Sequence, residues 1–244
     1  MKKKTMLITS VLAMVLVVPM AHAAKGNMSI SLTGGMGIPM SKFSDVPSST
    51  DFSNNKIQGL GTKAGINGGV GFDYMVSDAV AFGLSGSFSK ADGKDDLNTI
   101  YQSEVNGGDP VKATGSVIEG GVHLKYLIPI QDSPMSPYLM AGGGFYSVKS
   151  KFEFDNTSIS APPTVIEATS NKFGGKIGAG VTYKASEVVG IGVEGVFNIF
   201  QFDKDELSKQ FETIGAPPGV VDVSSASSVA VRAVVSFSLS NPTQ

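Results

Sequence analysis

Cysteine and tryptophan are absent, arginine occurs once, and two histidines are present. Charged residues make up only 16% of the 244 residues, a low density for a soluble globular domain. Without cysteine there is no disulfide framework, no thiolate metal site and no cysteine nucleophile, so any catalysis would fall to Ser, His or carboxylates. A formal charge of −2 with the lone Arg232 gives no electrostatic footprint for nucleic acid. No His/Asp/Glu set at ligand spacing appears, so no metal or other cofactor is expected. Glycine, by contrast, is abundant, at 30 residues.

The first residues have the pattern of an export signal. Lys2, Lys3 and Lys4 precede an apolar run from Met6 to Met20, and Ala21-His22-Ala23 is a small-x-small cleavage motif. The run is shorter than the ~20 residues a spanning helix needs. The expectation is a cleaved signal at 1–23, with the cut between Ala23 and Ala24, and a single domain over 24–244. Removing three lysines and no acid takes the 19 basic residues to 16 against 21 acidic ones, and the formal charge to −5. It also leaves His123 as the only imidazole.

No later stretch is apolar for long enough to cross a membrane as a helix. Apolar residues instead recur at every second position, the strand period. Alternation marks strands from Met28 to Ile38, Lys63 to Val76, Val80 to Ser89, Ile118 to Ile128, Pro137 to Phe154, Phe173 to Lys184, Val189 to Ile199 and Val229 to Leu239. In the fifth, Gly142-Gly143-Gly144 interrupts the alternation; placing Lys149, Lys151 and Glu153 on one face puts Tyr138, Met140, Tyr146 and Val148 outward. Connections alternate short and long, the long ones running through 39–62, 90–113, 155–172 and 203–225, as in an up-and-down membrane barrel. A short helix is expected from Asp205 to Thr213, aligning Leu207 and Phe211.

Bulky apolar side chains occupy one face, while the other is built from Gly, Ser, Ala and a few charges. In strand 3 that second face, Ala81, Gly83, Ser85, Ser87 and Ser89, is too bare for a solvated surface and suits a narrow lumen. Tyr74, Tyr126, Tyr138 and Tyr183 fall near the short-turn ends, where an aromatic girdle belongs. The fold class expected is therefore all-β: an eight-stranded antiparallel up-and-down transmembrane β-barrel with four long extracellular loops and short periplasmic turns.

The export signal, the Gly-rich strands Gly68-Gly69-Val70-Gly71-Phe72-Asp73-Tyr74 and Tyr138-Leu139-Met140-Ala141-Gly142-Gly143-Gly144, and the alternating loop lengths resemble the small bacterial outer-membrane β-barrel proteins of the OmpA/OmpX and surface-antigen type. The resemblance spans about residues 27–239 and implies the bacterial outer membrane as location. It also implies outer-membrane lipids and the barrel-assembly machinery as partners. The chain departs from the family pattern in continuing past Phe237 with Ser238-Leu239-Ser240-Asn241-Pro242-Thr243-Gln244 instead of ending on an aromatic residue.

Glu119, His123, Lys125, Lys176, Lys184, Glu194 and Arg232 fall on the interior face. Buried charges must pair, so Glu119, Lys176, Glu194 and Arg232 are expected to form an ion-pair network that plugs the lumen, with His123 and Lys125 beside it. His123 has no serine at strand spacing on its own face, so no catalytic residues are assigned and the chain is not expected to be an enzyme. The expected role of this monomer is structural or surface-interaction, adhesin- or antigen-like, with any host or extracellular ligand held by the acidic loops. The alternatives left open are a channel for small solutes or hydrophobic compounds and a lipid-modifying enzyme or protease.

Overall fold

The computed structural model describes residues 25–40, 44–45, 61–96, 99, 111–155, 162–201, 204–212, 219 and 225–239. The signal segment with Ala23 and Ala24, and most of loops 1, 2 and 4, lie outside them. Eight strands close into one antiparallel barrel in sequence order. They are β1 (Met28–Met40), β2 (Gly65–Met75), β3 (Val80–Asp92), β4 (Val111–Leu127), β5 (Met135–Phe154), β6 (Thr164–Lys184), β7 (Val189–Gln201) and β8 (Ser225–Ser238). A helix, α1 (Lys204–Glu212), follows β7 and packs against β6, close to its expected limits; Thr213 lies outside the described residues. No described helix is long and apolar enough to cross a membrane. Closure leaves no strand edge within the membrane, so each backbone donor and acceptor there finds a neighbour.

The short turns at 76–79 and 185–188 are built alike. Ser77 Oγ accepts from Val80 N–H at 3.1 Å, and Ser186 Oγ from Val189 N–H at 3.0 Å, serine supplying the acceptor that a tight turn lacks. In the third, Asp132 adopts φ 55°, a left-handed conformation that a short polar side chain tolerates.

β4, β5 and β6 are 17, 20 and 21 residues long, well beyond the ~9–11 that cross a bilayer. Their lower parts turn Ile118, Val122, Leu124, Leu139, Phe145, Phe173 and Ile177 outward and exposed. Phe145 and Phe173 are register partners and meet edge to face, ring centroids 5.8 Å apart. Above this pair the faces exchange chemistry. Lys112, Thr114, Ser116, Ser147, Lys149, Lys151, Glu153, Glu167 and Thr169 point outward, while Val111, Ala113, Val148, Phe152, Phe154, Ile166 and Ala168 are buried inside. The three strands leave the lipid there and continue as a wall with a polar exterior and an apolar interior.

This exchange overturns the expected orientation of β5. Tyr138, Met140, Tyr146 and Val148 are buried, Val148 fully and Tyr146 to 1% exposure, and it is Lys149, Lys151 and Glu153 that face out. Charges on one face do not mark the lumen where the strand stands in water. The girdle shrinks accordingly: Tyr74 and Tyr183 are exposed and Tyr126 half-buried, whereas Tyr138 points inward. Glycine is not confined to the lumen face either, since Gly34, Gly68, Gly86, Gly120, Gly143, Gly175 and Gly195 alternate with lipid-facing apolar residues.

The boundary gives a direct test. Val122→Arg, in the middle of the β4 belt, should lower stability in lipid vesicles by about 2–4 kcal/mol. Thr114→Arg, on the outward face of the wall, should change it by less than about 0.5 kcal/mol. Equal effects in denaturant unfolding would remove the boundary.

Candidate functional site: the filled lumen

Register explains how large polar side chains fit inside. One ladder row runs Asp73, Gly83, His123, Gly142, Lys176 across β2 to β6, alternating a long side chain with none. Glycine between two long neighbours lets their ends meet above the backbone. His123 Nε2 lies 2.7 Å from Asp73 Oδ1, two strands away, and a Cβ on Gly83 would collide with both side chains. The row Tyr138, Gly180, Glu194, Arg232 repeats the device. Tyr138 donates its hydroxyl hydrogen to Glu194 Oε2 at 2.8 Å, over a Gly180 whose Cβ would strike the tyrosine ring.

The charges form three groups. Lys125 Nζ donates to Asp73 Oδ2 at 2.6 Å, so one carboxylate serves both His123 and Lys125. Lys176 Nζ pairs with Glu119 Oε1, and donates to Ser85 Oγ at 2.5 Å, while Ser87 Oγ donates to Glu119 Oε2 at 2.9 Å. Arg232 Nε lies 3.1 Å from Glu194 Oε1, as direct cross-strand neighbours. Within these groups three cations, Lys125, Lys176 and Arg232, face three anions, Asp73, Glu119 and Glu194. That balance is what burial requires, because an unpaired charge here would carry a penalty of several kcal/mol.

Of the residues singled out from sequence, Glu119, His123, Lys176, Glu194 and Arg232 are buried within the barrel and Lys125 is half-buried. Lys184 shares their face but is exposed at the mouth. Glu119 and Lys176 form one pair and Glu194 and Arg232 another; a small void of about 30 Å³ is lined by all four. Asp73 completes the set and was missed as a partner, although its alternation with Val70, Phe72 and Tyr74 already put it on the lumen face. Higher in the lumen, Tyr146 stacks on Phe200, centroids 5.4 Å apart, and the apolar interior of the wall follows.

A vestibule of about 310 Å³ opens at the short-turn end, ringed by hydroxyls such as Ser29, Ser136 and Thr182, with Asp73, Lys125 and Tyr138 among its lining. Beyond it, voids of about 30, 10 and 20 Å³ remain, each room for on the order of one or two waters. His123 Nδ1 is buried without a hydrogen-bond partner, and among the described residues no group of three or more His, Asp or Glu is placed to hold a metal.

A closed eight-stranded barrel with a lipid-facing apolar belt and a lumen filled by paired charges is an outer-membrane protein of the small-barrel class. The model of the outer membrane protein β-barrel domain family matches residues 10–216, and the chain belongs to that family. Its setting is therefore the outer-membrane bilayer. No curated protein matches the sequence. Among solved structures, the Neisserial surface protein A is 13% identical, with 88% of this chain and 99% of that one covered at a TM-score of 0.45. The N-terminal barrel of Pseudomonas aeruginosa OprF is 13% identical over 89% and 100%, TM-score 0.41. Yersinia pestis Ail, the attachment invasion locus protein, is 12% identical over 88% and 98%, TM-score 0.42.

Two stability measurements follow from the lumen. Lys176→Met strands the Glu119 carboxylate and should destabilise by about 3–5 kcal/mol, whereas Lys176→Met with Glu119→Met should recover most of that loss. An additive double variant would show that the two side chains do not act as a pair. Gly83→Ala should cost about 1–3 kcal/mol by pushing His123 off Asp73; a neutral effect in the same unfolding assay would remove glycine's role as spacer.

Proposed function

We propose that this barrel works at the cell surface, in a structural or surface-interaction role, and that its lumen is not a solute path. The observation that carries the reading is the wall formed by β4, β5 and β6 above the Phe145–Phe173 level, with polar side chains outside and its own apolar core inside. A protein that needed only to span would end these strands near the membrane surface, as β7 does at Gln201. The wall instead carries the strand ends past the lipid belt, and the connections that follow them are the kind of segment where contacts with a host or extracellular ligand concentrate. Export by residues 1–23 with cleavage between Ala23 and Ala24, delivery by the barrel-assembly machinery and a monomeric state belong to the same proposal.

Against conduction stands the sequence of filled rows, from the Asp73–Lys125 pair through Glu119–Lys176 to Tyr146 and Phe200. A non-enzymatic role is supported by the surroundings of His123, which contacts the Asp73 carboxylate and has no serine hydroxyl hydrogen-bonded to it among the described residues.

Absence of native cysteine makes the topology easy to test. Val165→Cys, on the wall, should react with a membrane-impermeant maleimide on intact cells, and Ser186→Cys, in a short turn, only after the outer membrane is permeabilised. The reverse pattern would sink the surface reading. In planar bilayers the purified protein should give no single-channel steps; reproducible steps lost in variants that fill the vestibule would establish the channel instead.

A further inference from the structure

The outward face immediately above the lipid belt carries a charge pattern that the wall's stability does not call for. On β3 and β4 the last apolar outward residues are Phe88 and Ile118, register partners. The next outward residues are Lys90 and Ser116, again partners, and Ser116 is in turn opposite Lys149 on β5. Ser147 lies opposite Ile118. Lys90, Ser116, Ser147 and Lys149 thus form one patch across three strands. The two lysine Cα atoms are about 10 Å apart, two inter-strand spacings, with a serine hydroxyl between them.

Charge is sorted by distance from the lipid. On β3 to β6 the first outward polar residues are Lys90, Ser116, Ser147 and Asn171, one cation and three neutral hydrogen-bonding groups with no acid. Carboxylates enter farther out, Asp92 one outward position above Lys90 and Glu167 on the β6 wall, where it pairs with Lys149. Lys151 and Glu153 lie higher still and pair with each other at 3.3 Å. Lys90 is exposed and has no ion-pair partner among the described residues. Charge pairing for solubility alone would mix the signs from the first ring upward. Here the membrane-proximal row on β3 to β6 carries a cation and no acid, at the depth where lipid headgroups begin.

We infer that the patch Lys90, Ser116, Ser147 and Lys149 binds the phosphate of a lipid headgroup in the outer leaflet. The lipid surface below Phe88 and Ile118 is already an interface of the protein, so a lipid seated there has its chains against the belt and its phosphate level with the patch. Two ammonium groups and two hydroxyls offer a phosphate several donors, and the one carboxylate in contact with the patch, Glu167, touches only Lys149. Lys90 supplies the charge that no protein carboxylate neutralises. Lys149, held from above by Glu167, closes the far side.

The test uses the full barrel in lipid nanodiscs of phosphatidylcholine with a minor fraction of phosphatidic acid, released into detergent for native mass spectrometry. The wild type should retain phosphatidic acid over phosphatidylcholine. Lys90→Met should lower that preference roughly fivefold, the effect of about one basic residue near an anionic surface, and Lys112→Met, higher on the wall, should leave it unchanged. A heat-modifiable gel shift confirms that each variant is folded. Equal retention in wild type and Lys90→Met, or an equal loss in Lys112→Met, would overturn the site. So would a patch that takes up a soluble sulfated polysaccharide in preference to the phospholipid, as its partner would then lie outside the membrane.

Discussion

Eight strands closed edge to edge leave a lumen only wide enough for side chains, and most of what is distinctive here answers that constraint. Long side chains on neighbouring strands can pair directly, as Glu194 and Arg232 do, but those two strands apart meet only where the strand between leaves the row open. A glycine between them removes one Cβ and lets ends from strands two apart meet over the backbone, as Asp73 and His123 do above Gly83. The spacer sets who pairs with whom. Asp73 reaches β4 because β3 offers no side chain in that row, and Tyr138 reaches Glu194 on β7 because Gly180 steps aside. The Asp73–His123 and Tyr138–Glu194 contacts depend on the glycines as much as on the polar groups.

The bilayer imposes the complementary constraint from outside. Where strands touch lipid they must present Ile, Val, Leu or Phe outward, so the lumen receives whatever polarity the alternating pattern retains. Once β4, β5 and β6 pass Phe145 and Phe173, water replaces lipid and the preference reverses within two residues. The same strand then places Val148 and Phe152 inside and Lys149 and Lys151 outside. One continuous ladder thereby joins a membrane anchor to a small water-exposed unit that has its own core, with α1 packed against β6, whose pairing with β7 stops at Gly174.

Strand number, order and the alternation of short and long connections were legible in the sequence, because period-2 patterning is a local signal. The starts of β4 and β6 were not, and β6 begins at Thr164, inside the loop expected over 155–172, because its upper half stands in water. So was the lumen face of β4, β6, β7 and β8, hence Glu119, His123, Lys125, Lys176, Glu194 and Arg232 as interior residues. β5 was misread for a physical reason. Gly142-Gly143-Gly144 erases the alternation at the point where the two halves of the strand must be joined, and Lys149, Lys151 and Glu153 obey the rule for water and not the rule for lipid. Lys149 and Glu167 were separately visible as residues of strands or loops, but their pairing belongs to the register of β5 with β6. Asp73 as the partner of His123 needed the register of three strands, which no local pattern encodes.

A lumen of paired charges is not the most stable filling available, since well-packed apolar side chains of similar volume are often neutral or better. An apolar lumen beneath an apolar belt, however, would make each strand hydrophobic on both faces. Such runs would approach the composition of spanning helices and of aggregation-prone segments. Alternation removes the hazard strand by strand, and the charges on the lumen face keep it pronounced where Gly and Ala alone would blur it. The wall shows the same economy reversed: with Lys, Thr and Glu outside, its interior is free to be apolar, and it is. What stays constant along each strand is the contrast between its two faces, while the solvent beside the strand decides which of them is the oily one.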